Sequence, residues 1–253
     1  MKFLVKETCR ILMCKPIYYR VAYSINPWMR TGSQVDTNRA MEQWNILKKT
    51  IENCGGAVEV MEPTENEKDL PDLVFTANAA IVRGKQVYVA NFLHPQRQPE
   101  SKFNEMWFRK SGFYTYFNPE VPYEGTGDAL WCNRGKVLIC GVGPRSDVRA
   151  VEHIRKTLCT RDEHFMTVAV RLVDKRFYHL DTCFCPLDDK LALWFPKAFD
   201  SICQLNLANF AELLPVDENE AENFACNSVV IGKNVIMNEG SERVAKKCNG
   251  YIA

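Results

Sequence analysis

Apolar and polar positions along the chain fall mostly into short alternating runs. Four stretches share one layout, an apolar strand, a Gly or Asp turn and a second β-rich strand. They run from Asp72 to Phe92 turning at Arg83-Gly84-Lys85, Tyr123 to Gly141 turning at Asn133-Arg134-Gly135-Lys136, His179 to Pro196 turning at Asp188-Asp189, and Asn223 to Asn238 turning at Gly232-Lys233-Asn234. Each is followed by apolar positions at helical spacing: Glu100 to Lys110, Asp147 to Leu158, Ala198 to Leu214 and Ser241 to Cys248. Strand-like runs close the first three units at Tyr114 to Phe117, Thr167 to Val173 and Leu213 to Val216. The N-terminal part supplies pieces of a fifth unit: a strand Arg10 to Cys14, a helix Asp36 to Cys54 ending at Gly55-Gly56, and a strand Ala57 to Met61.

Turn residues at positions 84, 135, 189 and 232 recur at a spacing typical of propellers and repeat arrays. A doubly wound sheet would alternate single strands with helices, whereas here hairpins alternate with helices. The pattern predicts one α/β domain over residues 1–253, with strands inside and helices outside around an axis. Only Asn249-Gly250-Tyr251-Ile252-Ala253 follow the last helix, so the last unit is expected to be incomplete, its closing strand absent or barely begun.

Composition narrows the partners. The chain has 253 residues, a formal net charge of +1, 46% hydrophobic and 25% charged residues. That suits a soluble globular protein and excludes wholesale disorder, collagen-like and coiled-coil structures. Without a Lys/Arg run, nucleic acid is not an expected partner, and no stretch approaches the ~20 apolar residues of a membrane span. The start, Met1 to Cys14, is interrupted by Lys6, Glu7 and Arg10 and is too charged for a secretory signal. Eleven scattered cysteines, an odd number, read as reduced thiols in a cytoplasmic setting. Cys183 and Cys185 have no Cys/His partner at zinc-finger spacing, so no metal is expected.

Polar residues suited to chemistry collect where the hairpins open: Asp72-Leu73-Val74-Phe75-Thr76-Ala77-Asn78, Tyr123-Glu124-Gly125-Thr126-Gly127-Asp128 and His179-Leu180-Asp181-Thr182. Taken singly, each has a plain explanation: a solvated turn, a satisfied strand-end histidine, an Asx turn. Their coincidence at equivalent points of successive units is hard to ascribe to core packing. If His179 and Asp181 lie in a strand, their i, i+2 spacing turns both toward one cavity. Paired carboxylates are what hold a planar guanidinium bidentately. Arg97 and Arg145, which follow the first two hairpins, could hold a substrate carboxylate, although either could equally be a surface arginine.

These motifs resemble those of the guanidino-group modifying enzymes, the pentein superfamily of arginine deiminases, amidinotransferases, dimethylargininases and arginine dihydrolases, along essentially the whole chain. The resemblance implies a five-bladed α/β propeller with pseudo-fivefold symmetry. Phe75-Thr76-Ala77-Asn78 is similar to a substrate motif that usually carries Asp at the position of Asn78. The glycine-rich turn ending at Asp128 resembles the motif whose Glu, here Glu124, orients a catalytic His, here His179. Ile25-Asn26-Pro27-Trp28-Met29 with Asn78 is similar to the dihydrolase branch, which leaves ornithine. The implied mechanism is covalent: a cysteine thiolate attacks the guanidinium carbon, and His179 protonates the departing amine and later activates water. Asp181 and Asn78 would fix the guanidinium, with Phe75 and Asp128 in the same motifs, while Arg97, Arg145, Asp72 and Asn26 would hold the amino-acid end.

The nucleophile of this superfamily follows the closing strand of the last unit, so it is expected to be missing; Cys226 is a possible stand-in and Cys248 a weaker one. The leading expectation is hydrolysis of arginine to ornithine and ammonia. A deiminase or dimethylargininase giving citrulline is the enzymatic alternative, and a catalytically dead arginine-binding protein the non-enzymatic one. A nucleotide-binding α/β protein is disfavoured because no glycine-rich phosphate loop follows a strand. No cofactor is called for, the partner is a small guanidino compound, and a homo-oligomer is possible.

Overall fold

The computed structural model describes residues 9–32, 34–160 and 164–249. It begins with β1 (Arg10–Cys14), α1 (Thr37–Asn53) and β2 (Ala57–Met61), followed by β3 (Ala80–Arg83), β4 (Gln86–Val89), α2 (Glu100–Lys110) and β5 (Tyr114–Tyr116). Next come β6 (Ala129–Cys132), β7 (Val137–Val142), α3 (Arg149–Leu158) and β8 (Met166–Arg171), then β9 (Phe184–Pro186), β10 (Leu191–Trp194), α4 (Ser201–Ala208) and β11 (Glu212–Pro215). The chain continues through α5 (Glu218–Glu222), β12 (Val229–Ile231), β13 (Asn234–Ile236) and α6 (Glu242–Asn249).

The result is a mixed α/β fold of small separate sheets. In the three central units the second hairpin strand sits in the middle. β4 pairs antiparallel with β3 and parallel with β5, β7 does the same with β6 and β8, and β10 with β9 and β11. β1 and β2 form a parallel pair across α1, and β12 and β13 an antiparallel hairpin. The end of the last unit, where the closing strand was expected to be absent or barely begun, falls on residues 250–253, outside the described residues.

Three expectations need correction. The helix foreseen over Ala198 to Leu214 is only α4, because Asp200 caps its start by accepting from the Cys203 amide, and Glu212–Pro215 is drawn into parallel pairing with β10. α5 was not foreseen; its start is capped by Asp217, which accepts from the Glu220 amide. Most consequentially, the hairpin openings are not strand ends but short 3-10 turns at Pro71–Val74, Thr76–Asn78, Gly125–Asp128 and Leu180–Thr182.

The largest apolar cluster joins the units around β6–β8 and β9–β11 to the 221–248 region and includes the fully buried Phe177 and Leu180. The chain on both sides of His179 is thereby anchored in the core. Among the described residues no helix is long and apolar enough to cross a membrane.

Candidate active site

The turns at 76–78, 125–128 and 180–182 touch one another in succession, bringing the three polar openings together. Two glycines permit this approach. A Cβ on Gly127 would fall inside the Asn78 amide, and one on Gly141 of β7 would lie 2.8 Å from Leu180 Cβ and 3.0 Å from Asp128 Oδ1.

At the centre, His179 Nε2 lies 2.8 Å from Glu124 Oε2, both side chains buried. The same Oε2 accepts from Arg145 Nη1 at 2.9 Å, and Glu124 Oε1 accepts from the Leu93 amide at 3.2 Å. Burial opposes the charge on Glu124, but the hydrogen bond and charge of His179, then Arg145 and Arg97, bring its pKa down to about 2. Burial likewise opposes protonation of His179, yet the charge of Asp128, the hydrogen bond and charge of Glu124 and the charge of Asp181 together raise its pKa.

Asn78 fixes the other ring nitrogen. Its Oδ1 accepts from Arg97 Nη1 at 3.0 Å, and arginine is only a donor, so the amide orientation is set. Nδ2 then faces His179 Nδ1 at 3.4 Å and donates to Glu124 O at 3.3 Å. This arrangement suits the neutral tautomer with hydrogen on Nε2, donated to Glu124, and Nδ1 as the nitrogen that takes up and gives away a proton.

The remaining expected residues divide into two groups. Arg97 is buried between Glu100, with Nε–Oε1 and Nη2–Oε2 both at 2.9 Å, Asn78 and the Asp72 carbonyl. Asp128 is buried too, Oδ2 accepting from Ser146 Oγ at 2.6 Å and Oδ1 from the Leu180 amide at 3.0 Å. Both thus have internal partners rather than an open face. Burial moves the Asp128 pKa up to about 6.

Asp72 is different: its Oδ1 and the nearby Tyr23 hydroxyl are buried and reach no partner at full hydrogen-bond geometry among the described residues, the two interacting with each other, while Asp72 Oδ2 lies 3.9 Å from Arg97 Nε. Burial raises its pKa. Phe75 is exposed and meets Tyr19 edge to face at 5.7 Å. Asn26 Oδ1 accepts from the Trp28 and Met29 amides and so shapes its own loop. Asp181 follows His179 within the 3-10 turn, so the strand argument for the pair does not hold. It is half-buried, with its pKa pushed by burial up to about 7, and its carbonyl accepts from Asn227 Nδ2 at 3.3 Å.

Sequence reasoning missed Glu100, Ser146, Tyr23 and Tyr178. Glu100 could have been found as the i+3 partner of Arg97. Ser146, which also accepts from the Glu124 amide at 3.0 Å, and Tyr178, whose ring lies 4.7 Å from the Arg145 guanidinium, carry no sequence signal beyond adjacency.

Cys226 packs in the largest core cluster together with Cys183, Cys185 and Cys248, and burial pushes its pKa well up. Its surroundings are those of a core thiol rather than an activated nucleophile. All eleven cysteines are unpaired. Among the described residues no three His, Cys, Asp or Glu side chains are placed to hold a metal ion.

Comparison with known proteins places the chain among relatives of the same fold. The chain is 41% identical over 247 residues to the bifunctional arginine dihydrolase/ornithine cyclodeaminase ArgZ of Synechocystis, covering 95% of this chain but 34% of that protein, so it spans about a third of that relative's length. It is 36% identical over 232 residues to the N(G),N(G)-dimethylarginine dimethylaminohydrolase of Mycobacterium tuberculosis, covering 91% of this chain and 73% of the relative. Its fold superposes with a TM-score of 0.89 on the crystal structure of the N-terminal domain of ArgZ, a cysteine-to-serine mutant bound to substrate, at 40% identity over 96% of this chain and 88% of that one. A family model described as N,N dimethylarginine dimethylhydrolase, eukaryotic, matches residues 24–244. With its fold, its grouped turns and these matches, the chain belongs to the N,N-dimethylarginine dimethylhydrolase family.

Proposed function

We propose that this protein hydrolyses the guanidino group of L-arginine in the manner of an arginine dihydrolase, converting arginine and two waters to ornithine, carbon dioxide and two ammonia. The observation that carries the reading is the buried Glu124–His179 pair with Nδ1 turned to the neutral amide of Asn78. It is supported by the likeness to a dihydrolase domain crystallised with substrate.

In this reading Asn78 and Asp181 hold the guanidinium. Asn78, being neutral, also holds the uncharged ureido group that remains after the first nitrogen leaves, so a second hydrolysis can follow. Asp72, with an unsatisfied oxygen beside Tyr23, takes the substrate ammonium. Arg145 takes the carboxylate, Arg97 orients Asn78, and Asn26 and Phe75 line the entrance. The chemistry calls for a cysteine thiolate as nucleophile, made reactive by the adjacent cationic substrate; among the described residues no cysteine hydrogen-bonds the His179 ring, and the thiol stays unassigned. His179 protonates each departing amine from Nδ1 and takes a proton from the attacking water, while Glu124 balances the imidazolium charge. The units would stand as five blades about a common axis, a placement supported by the end-to-end contacts of the three polar turns. A cytoplasmic location completes the proposal.

Amino-acid analysis after incubation with L-arginine tests it. Ornithine with both terminal guanidino nitrogens as ammonia is expected; citrulline as the sole product would assign a deiminase instead. The family match favours a second reading, a dimethylargininase, which releases dimethylamine from dimethylarginine and leaves citrulline. Arginine binding without turnover would leave a binding protein.

A further inference from the structure

One oxygen, Glu124 Oε2, accepts from two buried groups: His179 Nε2 at 2.8 Å and the Arg145 guanidinium through Nη1 at 2.9 Å. Arg145 reaches the other way as well, its Nη2 donating to the Ile25 carbonyl at 2.9 Å. Ile25 belongs to a segment that meets the site repeatedly: Tyr19 packs edge-on against Phe75, Tyr23 lies beside Asp72, and Trp28 Nε1 donates to the Arg176 carbonyl at 2.7 Å. The guanidinium therefore sits between the carboxylate that serves His179 and the segment that crosses the amino-acid end of the site.

We propose that Arg145 couples occupation of that end to the basicity of His179: a substrate carboxylate draws the guanidinium off Glu124 Oε2, and the freed carboxylate then holds a proton on His179 more strongly. The inference rests on the reading of an amino-acid guanidine as substrate. Its physical basis is competition. Arg145 and the protonated form of His179 compete for one buried anion, where charge interactions are far stronger than in water, so removing the first favours the second. The other groups facing His179 are Asp128 from the 125–128 turn, Asp181 from its own turn, His94 from the loop after β4, Tyr178, whose ring centre lies 4.9 Å away and 4.7 Å from the Arg145 guanidinium, and the neutral Asn78 with Arg97 behind it. Of the charged side chains among these, the described contacts place none but Arg145 on the oxygen that bonds His179.

The consequence is a positioning role with substrate selectivity. A guanidine that lacks the carboxylate can occupy the reacting end, yet it leaves Arg145 on Glu124 and His179 a weaker base. Agmatine, which is arginine without that carboxylate, should then lose more in kcat than its weaker binding in KM accounts for.

The test is NMR titration of the His179 ring in the full chain, whose four histidines give few signals to assign. In the free protein, Arg145→Gln should raise the His179 pKa by about one unit, roughly tenfold in its proton affinity, whereas Arg145→Lys, which keeps the charge, should restore it toward the parent value. In the unsubstituted protein, saturation with L-arginine should leave His179 with a higher pKa than saturation with agmatine, since both place the same guanidinium beside the ring and differ only in the carboxylate. An unchanged pKa in a folded Arg145→Gln protein, or equal values with the two ligands, overturns the coupling. If arginine perturbs no signal at all, the proposed substrate is wrong and the trigger falls with it, while the Arg145→Gln titration still decides whether the two cations compete.

Discussion

Asn78, Arg97 and Glu100 show how much of the site is decided by single side chains. Arg97 is held by Glu100 through two bonds of 2.9 Å and aims Asn78 Nδ2 at His179. Arg97→Ala would strand the buried Glu100 charge, for which a cost of ~3–5 kcal/mol is usual, and free the amide to flip. Chemical denaturation should show that loss, and turnover should fall beyond what the remaining folded fraction explains. Protonation gives a second expectation at this scale. Burial lifts Asp128 to about 6 and Asp181 to about 7, so between the unfolded carboxylate value near ~4 and those values the folded chain binds more protons than the unfolded one. Their contribution to stability therefore increases as pH falls from about 7 toward 4. The raised His179 acts in the same sense, its contribution being present below about 6.5 and lost as pH rises through its folded value. Glu124, held at about 2, acts oppositely: its contribution is complete above about 4.3 and lost as pH falls through 2. From these site groups the melting temperature should peak on the acid side of neutrality, near pH ~5; a steady rise to pH 8 in a calorimetric series would contradict the assignment.

At the scale of elements, the site depends on turns packed tightly against strands. Gly141 on β7 leaves room for Leu180 and Asp128, so Gly141→Ala should displace the His179 turn, lowering kcat at least tenfold while far-UV circular dichroism stays native; unchanged turnover would show that the turn tolerates the shift. Much of this level was legible in the sequence. α2 and the first two strands have the boundaries that apolar periodicity indicated, because each has a clear apolar face and a marked stop. α4 was read too long because Leu213 and Leu214 fit both a helical pattern and the strand-like run Leu213 to Val216; pairing with β10 gives them to the strand. The polar openings were read as strand ends, since a 3-10 turn and a strand start carry the same polar-apolar mixture over so few residues. Their grouping was nevertheless legible, because Asn78, Glu124 and His179 stand at the same point of successive units. The internal partners of Arg97 and Asp128 were not, since Ser146 and the Leu180 amide reach Asp128 only through folding.

For the molecule as a whole, the chain is built of small separate sheets whose polar turns touch in succession, and the charged groups at those turns are held by neighbouring ions, hydroxyls and backbone amides. Asp72 Oδ1 and the Nδ1 side of His179 are the places where such contacts are open or weak, and they suit the ammonium and the reacting end of an arginine. The central claim is that both terminal guanidino nitrogens of arginine leave from this site. Following L-arginine labelled with carbon-13 at the guanidino carbon by NMR during incubation with the protein addresses it most directly. The account predicts that the label ends as bicarbonate with unlabelled ornithine beside it; a label that comes to rest in the ureido carbon of citrulline, or that remains in arginine, would contradict it.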